Sequence, residues 1–376
     1  MALARKGVDV QVFEQARGPS RAGASLDLGP NAIRLLDALQ LTEAREVGVR
    51  PDAIEFLRWD DGSTLMRAPH GVAAEEHFGA PVLDFYRPDL HDVLLRALPE
   101  GAVRFGSRVE GVAQEDSHAE IVLADGSRVP SDAVVAADGI RSPLRQQLVG
   151  ADDPVFSGTV VYRGLAEKDA VEELHPDRVN RYWLGPNRHA VAYWIASGHL
   201  LAVNAAIRDA DWARESWTDE SPPDEVLAAF AGWHEPLLER FRRCRVFLRG
   251  AVFVRRPLEH WSFGRVTLLG DAAHAMEPFQ AQGAAQAVED AFVLAECLAG
   301  VSRADVPEAL TRYERIRRQR AEEMQDSSRA AADTFYLDDG PLQRERDERY
   351  RTLLETSPWG HRQMLWEHDV RDALGG

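Results

Sequence analysis

One stretch constrains the fold more than any other. From Arg265 the chain runs through a β-branched apolar segment, Val266 to Leu269, into Gly270-Asp271, and then through Pro278 to Gly283 and an alanine-rich helical pattern. A short apolar run bounded in this way predicts a buried parallel strand. The glycine permits close backbone approach at the strand end, and the carboxylate can accept hydrogen bonds from vicinal hydroxyls. Pro278 fixes a turn, and Gly283 opens a helix expected to bury Val288, Ala291, Ala295 and Leu298. Such a helix N-terminus offers unpaired N–H groups and a positive dipole end. It would stabilise an electron-rich ring carbonyl, or a ring that becomes anionic on reduction.

The same pattern occurs earlier. Ala133 to Ala137 predicts a second buried strand, ending in Asp138-Gly139 and a helix start that carries Arg141 and Arg145. Met1 to Gly7 reads as the end of a helix with a glycine C-cap, and Val8 to Phe13 as a buried parallel strand with Glu14 at its carboxyl end. Leu35, Leu36, Leu39 and Leu41 predict a helix after Pro30-Asn31, and Leu90, Val93, Leu94 and Leu98 one from Pro88. Ala53 to Met66 contains an Asp61-Gly62 turn signal and predicts a hairpin. Residues 154–263 carry many short strand signals, with helix only around Asp224 to Phe241; from Pro307 to Thr334 the chain is strongly helix-prone.

The fold expectation is therefore mixed α/β. A Rossmann-like domain (1–50 with 84–152 and 264–300) is interleaved with a mainly antiparallel β-sheet domain (51–83 with 153–263), and a C-terminal helical region (301–376) follows. A net charge of −17 argues against a nucleic-acid partner, which needs a basic surface. No run is long enough to span a membrane, and two cysteines are too few for a disulfide framework, so the expected setting is cytoplasmic. The histidines show no metal-ligand spacing, and no metal is expected. His189 and His199 flank turns and are expected at the surface.

With these motifs in order, the chain resembles the class A single-component FAD-dependent aromatic hydroxylases, in the branch of salicylate hydroxylase. The resemblance covers nearly the whole chain. It implies that Asp271 holds a ribityl hydroxyl of FAD next to Gly270, that Pro278 lies by the flavin ring, and that the amides of Gly283 and Ala284 face its pyrimidine edge. The commonest form of the motif has asparagine where this chain has Ala285, so that one contact is not carried over. Asp138 and Gly139 would pack near the flavin, and Arg141 or Arg145 would meet pyridine-nucleotide phosphate. Arg87, in a segment that resembles the family's Arg-x-x-Leu-x-x-x-Leu helix, would contact the FAD backbone. Glu14 would hydrogen-bond the adenosine ribose.

By the same resemblance, NAD(P)H reduces FAD and O₂ supplies the oxygen that enters an activated aromatic ring. Tyr162-Arg163-Gly164 matches a recurring triplet of the branch, and Tyr193 lies on a strand expected to face the substrate; Arg163 and Tyr193 are the candidate catalytic residues. Tyr182, Trp183 and Trp194 read as core or pocket wall, and His274 as structural. Tyr313, Glu314, Arg317 and Arg320 read as the closing helices, with their charges on a solvated face. The expected partners are a small aromatic substrate and O₂, with room for a homodimer. Gly7 is the only glycine before Glu14, too few for a dinucleotide-binding loop. The expectation is a chain shortened at its N-terminus by on the order of 15–20 residues, with weakened hold on FAD. Two alternatives stay open: an FAD-dependent oxidase, epoxidase or hydroxylase of a larger biosynthetic substrate, and a cofactor-deficient, non-redox member of the fold.

Overall fold

Strand-forming residues between 53 and 254 build one eight-stranded sheet. The computed structural model describes residues 1–19, 25–209, 212, 214, 216, 218–360 and 362–375. In spatial order the sheet runs Asp219–Ser221, Phe247–Val254, Val155–Glu167, Leu200–Arg208, Arg188–Ile195, Val179–Gly185, Ala53–Arg58 and Thr64–Pro69. Every pairing is antiparallel except that of Val179–Gly185 with Ala53–Arg58. Alternation along the strands gives the sheet two unlike faces. One carries Tyr162, Trp183, Trp194 and Val203, and buries them with Phe230, Leu237 and Phe241 from the helices Pro223–Ala229 and Glu235–Arg243. The other carries Arg163, Tyr182, Val191, Tyr193 and Asn204, and turns toward the rest of the chain.

Smaller sheets complete the β-structure. Val134–Ala136 lies parallel to Val266–Leu268, flanked by Ser262–Phe263. Ser25–Leu28 pairs antiparallel with Leu83–Tyr86, and residues 109–131 form a three-stranded meander. Val12–Glu14 pairs parallel with Val103–Phe105. The parallel direction agrees with expectation, but the burial does not: Val12 is 39% and Phe105 36% exposed. Among the described residues these two strands pair only with each other, so neither flank is covered.

The helix Gly283–Leu298 packs against Val306–Phe335 and Pro30–Ala38. Its buried surface is wider than periodicity suggested: Val288 and Ala291 are half-buried, whereas Gln286, Glu289 and Asp290 are fully covered. The charges of the 306–335 helix are not the solvated face expected of them. Arg317 is wholly buried, with Nη1 2.7 Å from Glu289, Nε 2.9 Å from Asp290 and Nη2 2.7 Å from the Gln286 side chain. Glu289 also accepts from Asn31 at 2.7 Å, and Tyr313 donates to the Leu268 carbonyl at 3.1 Å. Glu314 accepts from the amides of Trp261 and Ser262. The arginine is thus an internal joint, because the neighbouring helix presents carboxylates where water would otherwise be. No described helix is long and apolar enough to cross a membrane.

Arg317→Met keeps the volume and removes the charge, leaving Glu289 and Asp290 buried without their cation. Chemical denaturation should show a loss of about 3–5 kcal/mol; a loss under 1 kcal/mol would contradict the joint.

Candidate active site

The two glycine–acid motifs end on neighbouring strands. Ala136 registers with Leu268, and the Leu269 amide donates to the Ala136 carbonyl at 3.0 Å, so Asp138-Gly139 and Gly270-Asp271 emerge side by side. Ligands of open α/β sheets gather outside such carboxyl ends. Gly270 has φ 62° and ψ −138°, a conformation nearly closed to other residues. Its amide donates to Asp290 at 3.1 Å, and Asp290 stands 2.6 Å from His274 Nε2. Burial alone would raise Asp290, but His274 and Arg317 overrule it and hold the carboxyl at about 2. His274 is therefore a structural partner, as expected. Asp271 keeps exposed surface at the strand end, while burial of its carboxyl against the surrounding protein raises it above the ordinary range.

A few residues on, Pro278–Gln280 makes a tight turn and Gly283–Leu298 begins. No side chain caps this helix, and Ala284 is exposed at its first turn. An uncapped helix N-terminus beside an available carboxylate suits the electron-rich edge and the hydroxylated tail of a flavin. Ala285 is completely buried, so the position that usually carries asparagine adds only packing here.

The polar face of the large sheet lies beneath. Phe279, on the Pro278 turn, packs on His189, and Ser25 sits over Tyr193, four residues along the same strand. The strand runs about 13 Å between these two covers, and the sheet face along it is the candidate substrate slot. Val191, Asn204 and Arg163 form one row across its floor, with Tyr182 next to Val191. Tyr193 donates to Ser25 Oγ at 2.6 Å and Asn204 donates to the same atom at 3.1 Å. Burial raises the Tyr193 phenol well above its ordinary value, which keeps it a donor. Burial also lowers Arg163 to about 10, with Tyr193 opposing the shift.

The structure thus brings Gly270, Asp271, Asp138 and Gly139 together at strand ends, and Pro278, Gly283 and Ala284 at the helix head. Arg163 and Tyr193 lie on the floor. Glu14 is at the end of the separate two-stranded sheet, where its carboxylate accepts from the Ala16 amide at 2.7 Å, and Arg87 is exposed at the start of Arg87–Arg96.

Two expectations are corrected. Arg145 cannot meet a pyridine nucleotide, because it is fully buried and donates to the carbonyls of Ala272 and Ala273 at 2.8 and 2.9 Å while pairing with Asp152. It clamps the 271–274 turn against the Asp138 motif; Arg141 stays exposed over Phe253. His189 is not at the surface but 8% exposed among Phe279, Phe335 and Tyr336, because the C-terminal half of the 306–335 helix closes over its turn. His199 is exposed as expected.

Sequence reading missed Ser25, Asn204 and the carboxylates Asp27 and Asp84. The polar–apolar alternation of Ser25-Leu26-Asp27-Leu28 was the available signal, since it sets Ser25 and Asp27 on one face of a strand. Among the described residues no cluster of three or more His, Cys, Asp or Glu is placed to hold a metal ion.

Residues 1–328 match the FAD binding domain family, and the chain belongs to it. The chain is 42% identical over 347 residues to a 3-amino-4-hydroxybenzoate 2-monooxygenase of Streptomyces platensis, covering 92% of this chain and 87% of that protein. It is 33% identical over 326 residues to a 6-hydroxynicotinate 3-monooxygenase of Bordetella bronchiseptica, covering 86% and 85%. Among solved structures, a salicylate hydroxylase substrate complex superposes with a TM-score of 0.84 at 28% identity, covering 99% of this chain and 92% of that one. The mixed α/β architecture is that of the family.

Two outcomes follow from the strand-end geometry. Gly270→Ala should cost about 1–3 kcal/mol, because an L-residue is strained at this backbone conformation; unchanged stability would refute the strain. Asp290 titrates below its unfolded value, so its contribution to stability is complete above about pH 4 and is lost as pH falls toward about 2. Asp290→Asn should flatten acid unfolding in that window, and an unaltered acid limb would assign the transition to other carboxylates.

Proposed function

We propose that this chain is an FAD-dependent monooxygenase that uses NAD(P)H and O₂ to hydroxylate a small aromatic acid already carrying a ring hydroxyl. The observation that carries the reading is an arrangement: two glycine–acid motifs on adjacent strand ends and an uncapped helix head, with a polar sheet face that holds the buried Arg163. Gly270, Asp271, Asp138, Gly139, Pro278, Gly283 and Ala284 would hold FAD, which when bound supplies the oxygen-activating redox chemistry. Glu14 and Arg87 are proposed for its adenosine and backbone ends.

This chain's own residues bind and orient the ring. Arg163 has lost water to reach its place, and a substrate carboxylate would offset that desolvation. Tyr193, Ser25 and Asn204 form a fixed donor–acceptor set beside it. The Ser25 hydroxyl accepts from both neighbours, which leaves its own proton to be donated. Arg163 and Tyr182 stand three strand spacings apart, about 14 Å between backbones. Such a span favours a ring with its carboxylate and hydroxyl at opposite ends. Two of the relatives support that choice by name, since 3-amino-4-hydroxybenzoate and 6-hydroxynicotinate both set the hydroxyl para to the carboxyl.

The test is a visible spectrum of the purified chain with added FAD, followed by NAD(P)H oxidation with ring-hydroxylated acids. A flavin spectrum and stimulation by 4-hydroxybenzoate-type acids over salicylate and over bulky polycyclic phenols are expected. Arg163→Met should remove about 2 kcal/mol of carboxylate binding, an increase of about 30-fold in KM, with a smaller change in kcat. A protein that binds no flavin, or is indifferent to every aromatic acid, would overturn the reading.

A further inference from the structure

The polar side of the Ser25–Leu28 and Leu83–Tyr86 ribbon holds an arrangement that proteins ordinarily avoid. Asp27 and Asp84 are direct cross-strand partners. The Asp84 amide and carbonyl are both engaged with Val49 on the opposite side, each at 2.8 Å. Asp27–Asp84 is therefore a non-hydrogen-bonded pair, the kind whose side chains lie closest. Like charges set opposite each other destabilise a sheet, and more so when buried. Asp84 is 1% exposed, whereas Asp27 retains a partly accessible surface.

Each carboxylate has a distinct setting. Asp84 Oδ2 accepts from Asn180 at 2.9 Å, while Oδ1 lacks a hydrogen-bond partner. A proton on Oδ1 would have Asp27 as the acceptor opposite it. Asp27 follows Ser25 by two residues, on the same face as the hydroxyl bound by Tyr193 and Asn204. The strand then runs into Asn31, which donates to Gln282 at the head of the Gly283–Leu298 helix. Asp27 is thus at most about 13 Å of chain from the residue that holds that helix head.

We propose that Asp27 is the group that takes the proton from the ring hydroxyl of the substrate, and that Asp84 positions it. This rests on the substrate reading above. In the step, the substrate O–H bond breaks, its electron pair stays on the ring oxygen, and a new O–H bond forms on the Asp27 carboxylate. Negative charge moves from carboxylate to ring oxygen, and the charge of the slot does not change.

The surroundings agree with that division of labour. Burial raises Asp27 to about 6, against the pull of Arg362, and raises Asp84 much further, with Asp27 adding to the effect. Asp84 is thus the member of the pair that favours its proton, and Asp27 the one that gives its own up first. The other groups that act on the pair are Arg362 from Arg362–Glu367 and Tyr182 and Tyr193 from the large sheet, and His70, ahead of Gly71–Phe78, faces Arg362. Burial holds both tyrosines protonated, and burial with Arg362 lowers His70 to about 3 and keeps it neutral. Arg362 is then the counter-charge to Asp27, with Arg163 further along the floor.

The test uses the FAD-loaded protein and 4-hydroxy-3-nitrobenzoate, whose phenolate has its own absorbance. The ionised fraction of bound probe is read against pH, beside the pH profile of kcat/KM with 4-hydroxybenzoate. Native protein should show a rise near pH 6 in both, because Asp27 must lose its proton to accept another. Asp27→Asn should abolish the rise and lower kcat/KM by about 10²-fold or more, and Asp27→Glu should restore part of it. Asp84→Asn should keep the rise but move it to higher pH, since an amide is a weaker donor to the Asp27 carboxylate than a carboxylic acid is. Should Asp27→Asn fail to fold, the Asp84→Asn shift decides. Normal binding with an unchanged ionisation profile in Asp27→Asn, or no shift in Asp84→Asn, overturns the proposal alone. A native protein that binds neither acid overturns the substrate reading, and this proposal with it.

Discussion

Arg317 has no exposed surface and three anionic or polar side chains around its guanidinium, and much of the site hangs on that fact. Asp290, gripped at one oxygen by Arg317, uses the other for the Gly270 amide and His274. Glu289, gripped the same way, receives Asn31 from the end of the Ser25–Leu28 strand. One cation therefore fixes the strand end that bears Asp271, the helix head that begins at Gly283, and the strand that roofs the slot. Apolar residues in place of the cluster would hold the helices together as well, but would not aim them. A planar five-donor group sets angles as well as distances.

The large sheet contributes the opposite kind of order. Its helix-covered face is closed by tryptophan and phenylalanine, so its strands cannot shift register without exposing that core. The other face is then free to carry Arg163, Asn204 and Tyr193 at the spacing the pleat imposes. Gly250 has a part in this: a side chain there would collide with the Ser216 carbonyl and come 3.3 Å from Arg163 Nη1. The rigid apolar face supports the polar one.

What could be read from the sequence was what is local along it. Gly270-Asp271 through Gly283 is a continuous strand–turn–helix unit, and its glycines, proline and apolar run are each visible without knowing the fold. Arg87 at a helix start and the Asp61-Gly62 hairpin are legible for the same reason. Arg317, Arg145 and His189 were misjudged because helical periodicity and turn signals show what an element would expose alone, not what covers it later. The Asp27–Asp84 pair was invisible for a stricter reason. Its partners are 57 residues apart and are joined only by strand register, which no single segment encodes. Each aspartate separately looks like an ordinary polar residue on a strand.

The contrast between these aspartates and the buried histidines explains why the slot would use a carboxylate for its proton. Desolvation disfavours the charged form of either residue, but for the histidine that is the protonated form and for the aspartate the deprotonated one. Burial accordingly lowers His70, His175 and His189 to about 3, far from any working range near neutrality. The same effect raises Asp27 to about 6, into it. Arg362 limits that shift, while Asp27 adds to the larger one of Asp84. In a slot dry enough to bind an aromatic ring, a histidine is held neutral with little affinity for a proton. A carboxylate of a crowded pair is left close to balance between holding a proton and releasing it, which is the condition a group needs if it is to take a proton from a phenol and return it.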